Sequence, residues 1–417
     1  MIEQAVQVPR HVLDEALSLG YTARTGLIAV QPPSRIIKAA WAYQRYGAIG
    51  ASVVLAAERF GDRAAVVDER GTLSYRELDR HSDAIASAWV TRGLRSGRAV
   101  AIMARNHRGF LEALFAAAKC GARIVLLNTD FSAPALQAVC QREGADLLVL
   151  DEEFLPLATE LDVPQGIWRA WSQTPGADTL DCLIATPDGA APPRPHKWAT
   201  LILLTSGTTG MPKGAPRSEL RTLTPIGAIF GRVPFRVRGV TECAAPMFHA
   251  LGVVHAVLAV ALGSTLILRR RFDPAATLDS LVRHRVTALI VVPIMLRRIL
   301  ELGPTAVAGH DLSHLRIVFV GGSQLGADLC KRAGDAFGPV LYNLYGSTEV
   351  AFASIATPED LQVAPGCVGR IAPGPSSEFS TTTTTSCPPN PSAGSSSATP
   401  RNSRATPAAE RKSSFED

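Results

Sequence analysis

One stretch concentrates groups that could handle phosphate: Thr205-Ser206-Gly207-Thr208-Thr209-Gly210-Met211-Pro212-Lys213-Gly214. Three glycines let a backbone turn tightly and approach a ligand closely. Four hydroxyls and successive backbone N–H groups can cradle phosphate oxygens, and Lys213 adds positive charge. The stretch follows Leu201–Leu204, an apolar run that reads as a buried strand. It is not a Walker A loop, because Gly-x-x-x-x-Gly-Lys-Ser/Thr cannot be placed on it. A lone Gly/Thr turn of this kind is a weak signal, so the rest of the chain must support it.

Three further blocks do. Pro246-Met247-Phe248-His249-Ala250-Leu251-Gly252, Gly321-Gly322-Ser323-Gln324-Leu325 and Tyr345-Gly346-Ser347-Thr348-Glu349 follow in that order. With the first stretch they resemble the signature motifs of the adenylate-forming superfamily, in the family's sequence order. That family includes acyl-CoA synthetases, adenylation domains and luciferase-like enzymes. The resemblance runs from roughly Ser52 to Gly374.

The resemblance implies ATP-dependent activation of a carboxylic acid as an acyl-adenylate, then transfer to the thiol of coenzyme A. Thr205–Gly214 would hold the outer phosphates, with Lys213 catalytic. Gly321, Gly322 and Ser323 would let the nucleotide approach. Tyr345 would stack on adenine, Gly346 and Ser347 would complete that loop, and Thr348 would bond the α-phosphate. Glu349 would ligate Mg²⁺, since a hard carboxylate suits that ion. His249 would border the acyl pocket. Adenylation domains that take amino acids typically place Asp there, and Phe248-His249 offers no such anion. That favours a fatty or aryl acid, fatty acid first.

The resemblance stops at Val368–Gly374. The family's Thr-Gly-Asp motif, its hinge and its small C-terminal domain with a catalytic lysine have no counterpart in this sequence. After Lys331 the sole lysine is Lys412, in Glu410-Arg411-Lys412, without the family's lysine context. Residues 375–417 contain no Leu, Ile, Val, Met, Trp or Tyr, a composition expected of a disordered tail and suggestive of out-of-frame translation. The expectation is an acyl-CoA synthetase impaired by truncation. The alternative is a non-catalytic nucleotide- or acyl-binding remnant.

The elements that must position these blocks follow from periodicity. Ala64–Asp68 and Thr72–Tyr75 read as a hairpin around Glu69-Arg70-Gly71. Ser74 with Glu77 makes a capping box for a helix that buries Leu78, Ile85 and Trp89. Strands at Ala99–Ala104, Arg123–Leu127 and Asp146–Leu150 alternate with helices Arg108–Cys120 and Ser132–Gly144, the latter with Ser132 as N-cap. A second series begins at Leu201, with strands at Thr265–Leu268, Leu289–Val292, Ile317–Val320 and Leu341–Leu344. Such alternation predicts an α/β fold of mostly parallel sheets covered on both faces. Ligands of these sheets sit at strand carboxyl ends, where the motif blocks fall. The division expected is an extension at 1–50, α/β subdomains at 51–195 and 196–374, and the tail at 375–417.

Composition bounds the rest. The chain of 417 residues is 47% hydrophobic, enough for a sizeable core, and its net charge of +5 is scattered, which gives no case for nucleic acid. Seven dispersed cysteines without Cys-x-x-Cys spacing suggest reduced thiols and a cytoplasmic protein. Leu251–Leu268 is apolar enough to test as a membrane span, but His255 and Gly263-Ser264 split it into a buried helix and a strand. Arg35–Tyr46 reads as a basic amphipathic helix, which opens peripheral membrane contact beside ordinary packing.

Overall fold

The computed structural model describes residues 14–28, 32–187, 192–205, 213–217, 224–346 and 353–371. The hairpin of β1 (Ala64–Asp68) and β2 (Gly71–Ser74) forms where expected. The strands β3 (Ala99–Met103), β4 (Arg123–Leu126), β5 (Ala145–Asp151), β6 (Ile167–Trp171), β7 (Thr200–Thr205) and β8 (Lys213–Arg217) make one sheet, in the order β6-β5-β3-β4-β7-β8. The remaining strands are β9 (Val240–Cys243), β10 (Thr265–Ile267), β11 (Ala288–Val291), β12 (Ile317–Val320), β13 (Leu341–Tyr345), β14 (Ser354–Ala356) and β15 (Arg370–Ile371). They join the hairpin in a second sheet, β15-β14-β13-β12-β11-β9-β10-β1-β2. Interior strands pair in parallel, while β2, β8, β14 and β15 are antiparallel.

Two elements lie in a sheet other than the one expected. β7 was assigned to the second series, yet it pairs with β4 through Ile124↔Leu201, Val125↔Ile202 and Leu126↔Leu203. The β1–β2 hairpin, early in the chain, joins the second sheet through Val66↔Leu266. A division near residue 195 therefore does not separate the sheets. Periodicity reports which faces of a strand are buried, not which strand lies beside it.

Side-chain alternation does place both faces of each sheet in apolar layers. In β3, Val100 and Ile102 enter one core while Ala99, Ala101 and Met103 enter another. In β12, Ile317 and Phe319 enter that same first core while Val318 and Val320 enter a third. The shared core thus lies between the sheets. Its filling comes from the helices Tyr75–Thr91, Arg108–Lys119 and Ala250–Ala261, through Leu78, Ile85, Trp89, Phe110, Leu114, Val253 and Ala256 among others. The capping box at Ser74 and Glu77 is present. Ser132 is an N-cap by position, but its side chain makes no capping bond.

The helix expected at Arg35–Tyr46 is one arm of a longer element, Pro33–Phe60, interrupted at Gly47 with φ 68°. Lys38 Nζ sits 2.8 Å from Glu58 Oε1. Twenty residues of straight helix would span about 30 Å, so the element doubles back at Gly47. The apolar run 251–268 resolves into the helix Ala250–Ala261 and β10. Among the described residues, no helix is long and apolar enough to cross a membrane. Among the described residues, Cys120, Cys140, Cys182, Cys243 and Cys330 are free thiols.

Candidate functional site

The glycine- and hydroxyl-rich stretch connects two paired strands. Leu204 faces Gly214 and Thr205 faces Lys213 across the β7–β8 ladder. The ladder fixes both ends of the loop by backbone hydrogen bonds, at the carboxyl end of a parallel strand. Ser206, Gly207, Thr208, Thr209 and Gly210 lie outside the described residues.

The second block follows β12. A Cβ on Gly321 would come within 3.1 Å of the Leu344 Cβ, a tight contact that glycine avoids where this turn passes β13. Gly322 has φ +93°, in the region that favours glycine, and lies next to Val292 at the end of β11. The turn therefore fits between the carboxyl ends of β11 and β13. Gly322 and Ser323 are exposed at this edge.

Tyr345 ends β13, and its carbonyl accepts a hydrogen bond from Ala353 N at 2.8 Å. The residue is 47% exposed, so it is not a core tyrosine. Gly346 beside it is exposed too. Ser347, Thr348 and Glu349 lie outside the described residues.

The third block follows β9. Gly252, in the first turn of the helix Ala250–Ala261, lies so near the Pro246 carbonyl that a Cβ would overlap it. His249 is the N-cap of that helix, without a side-chain capping bond, and its ring lies 4.5 Å from that of Phe248. Desolvation by its surroundings lowers the imidazole below the ordinary histidine value, while Asp130 pulls the other way. The residue is nonetheless exposed.

Nearly two turns further along the helix, His255 is buried between Phe319 and Phe235, at ring distances of 4.5 and 6.0 Å. Burial lowers its pKa to about 4, so it is neutral. Its Nδ1 lies 2.7 Å from the Leu251 carbonyl and must carry the proton, because a carbonyl can only accept. Nε2 is then an acceptor with no partner among the described residues.

Sequence reasoning missed Asn106. It sits in the loop after β3, buried, and reaches across to the other sheet. Its amide nitrogen donates to the carbonyls of Cys243 (3.1 Å) and Ala245 (2.9 Å), and its Oδ1 accepts from Met247 N (2.8 Å). This one side chain clamps the backbone that leads into Phe248-His249. Its only sequence signal is a polar residue just past a strand carboxyl end.

The described parts place a positive-φ glycine turn and an exposed tyrosine at the ends of adjacent strands of the second sheet. Among the described residues, no group of three or more His, Cys, Asp or Glu side chains is placed to hold a metal. Glu349, the metal ligand expected, is outside them.

A sequence model of the AMP-binding enzyme family matches residues 54–379. The fatty acid–[acyl-carrier-protein] ligase ScoC of Streptomyces coeruleorubidus is 28% identical over 75% of this chain and 60% of its own length. The feruloyl-CoA synthase of an Amycolatopsis species is 32% identical over 70% of this chain and 58% of its own. The chain thus spans about three fifths of the length of these relatives. The N-terminal domain of FACL13 from Mycobacterium tuberculosis superposes with a TM-score of 0.67 at 23% identity, covering 78% of this chain and 82% of that one, a likeness of fold. On the match across residues 54–379, the chain belongs to the AMP-binding enzyme family.

Proposed function

We propose that this chain is the nucleotide- and acid-binding part of an acid–thiol ligase. In the reaction proposed, a carboxylate oxygen attacks the α-phosphorus of ATP, giving acyl-adenylate and pyrophosphate. The thiol of coenzyme A then displaces AMP to give a thioester. Mg²⁺, when bound, would neutralise phosphate charge, with Glu349 as its ligand. Lys213 and the hydroxyls of Thr205, Ser206, Thr208 and Thr209 would hold the outer phosphates, where preorganised donors stabilise developing charge. Thr348 would bond the α-phosphate. Gly321 and Gly322 would admit the nucleotide, and Tyr345 would stack on its base. The observation that carries this reading is the exposed Tyr345 beside the positive-φ Gly322 at neighbouring strand ends.

For the acid, the almost wholly apolar helix Ala250–Ala261 behind His249 favours a fatty acyl chain. A second reading, a hydroxylated aryl acid, is favoured by the unpartnered His255 Nε2, which could accept a hydrogen bond from a phenol.

The test has two arms. Calorimetry should show that Lys213→Ala weakens ATP more than AMP, roughly 10-fold or more for a lost charge-assisted contact. Equal losses for both nucleotides would reject the loop assignment. Binding of acyl- and aroyl-sulfamoyl adenosines to the same chain then ranks the two acid classes, and a preference for neither would remove both readings of the pocket.

A further inference from the structure

We propose that the first arm of the doubled helix, with the segments packed beside it, forms a surface that docks on an anionic lipid bilayer. The proposal goes beyond the ligase reading and does not depend on it. In the arm from Pro33 to Tyr46, Ala42 and Tyr46 are buried against the rest of the protein. Ile36, Ile37 and Trp41 face outward, 60%, 69% and 53% exposed. Successive turns place 37 and 41 on one face. Large apolar side chains exposed together mark an interaction surface rather than ordinary surface scatter. Tryptophan in particular favours the headgroup region, where one part of the ring is apolar and the other wet.

The charge around this face points to the partner. Arg59, at the end of the returning arm, donates to the carbonyls of Gly26 and Leu27 at 2.8 Å each. That brings in the exposed Ile28. Arg236 Nη1 donates to the Arg24 carbonyl at 2.8 Å, and Val237 N to the Thr25 carbonyl at 2.9 Å. Repulsion from Arg238 and Arg35 contributes to lowering the Arg59 pKa, after burial, so these guanidinium groups share one neighbourhood. Segments 24–28, 33–59 and 236–238 hold Arg24, Arg35, Lys38, Arg59, Arg236 and Arg238 against one acid, Glu58, while Arg45 turns inward to the Pro192 carbonyl and towards Asp83. Glu58 is already paired with Lys38. Two neighbouring segments and a third far downstream thus build a basic surface around an apolar ridge.

A flat polyanion with an apolar interior satisfies both features at once. The apolar ridge enters the acyl boundary while the arginines meet lipid phosphates. The doubling at Gly47 and the burial of Ala42 and Tyr46 hold the ridge outward, so docking needs no refolding of the arm.

The test is co-sedimentation of the full chain with vesicles of phosphatidylcholine alone and of phosphatidylcholine mixed with phosphatidylglycerol. Binding should require the anionic lipid and should weaken as salt rises. Arg236→Gln should reduce partitioning roughly five-fold, the worth of one basic residue at such a surface. The double change Ile36→Ser and Ile37→Ser should reduce it by more, with thermal unfolding unchanged because both side chains are exposed. A wild-type chain that stays in the supernatant with anionic vesicles overturns the proposal. So does equal sedimentation of the Ser variant. A lipid-free dimer in sedimentation equilibrium, abolished by the same Ser changes, would assign the ridge to a second copy instead.

Discussion

Glu242 offers the sharpest quantitative test of the fold. It lies on β9 in the middle of the second sheet, paired on either side with Ile267 and Leu289, and is buried. Its Oε2 has no hydrogen-bond partner among the described residues. Burial pushes the carboxyl from 4.5 up to about 7, while the Ser280 hydroxyl and the Arg269 cation pull it down. The folded chain thus holds this proton more tightly than the unfolded chain does. The stability associated with the neutral acid is complete below pH 4.5. It is lost as pH rises towards 7, and little changes above that. A difference of about 2.5 in pKa, at 1.36 kcal/mol each, comes to roughly 3 kcal/mol. Glu242→Gln keeps the shape and abolishes the ionisation. It should stabilise the chain at pH 8 by up to about 3 kcal/mol, raising Tm by roughly 4 °C at this chain length. At pH 4 the two proteins should unfold together. Scanning calorimetry of both from pH 4 to pH 8 makes the comparison. A Gln variant no more stable than the parent at pH 8, with the same pH slope, would refute the claim that a buried ionised carboxylate is being tolerated.

Other substitutions probe how the layers are joined. Lys119 is fully buried and pairs with Asp79 (2.6 Å) and Asp83 (2.7 Å) on the neighbouring helix. Lys119→Met should cost about 3 kcal/mol, the low end for breaking a buried pair, since both carboxylates keep some solvent; a loss under about 1 kcal/mol in urea unfolding would contradict this. Asn106→Ala removes three hydrogen bonds that join the sheets, a cost of about 2–3 kcal/mol. If Asn106 also positions the segment before His249, the variant should lose affinity for acyl-sulfamoyl adenosine more than for AMP; parallel losses would limit it to stability.

Much of this protein was legible in one dimension. The strands at Ala99, Arg123, Ile317 and Leu341 stand within a residue or two of their expected bounds, because an apolar run between turn residues buries both faces in any α/β sheet. Gly322 was legible as well, since a turn with positive φ after a strand asks for glycine whatever surrounds it. The order of the four motif blocks carried the family, which needs no coordinates.

What tertiary structure alone decided is adjacency. Nothing local in Thr200–Thr205 says that it pairs with β4, or that the hairpin at residue 64 lies beside β10. Strand pairing is settled by which edges remain open after the layers pack, a property of the whole chain. The same holds for Asn106, an ordinary polar residue until its amide meets Cys243, Ala245 and Met247. It holds too for the basic ridge, where Arg24, Arg59 and Arg238 become neighbours only because the helix folds back at Gly47 and hydrogen bonds tie the segments together. Sequence determined the chemistry available at each position; long-range packing determined which of those groups share a surface, because contacts between residues hundreds of positions apart leave no local pattern.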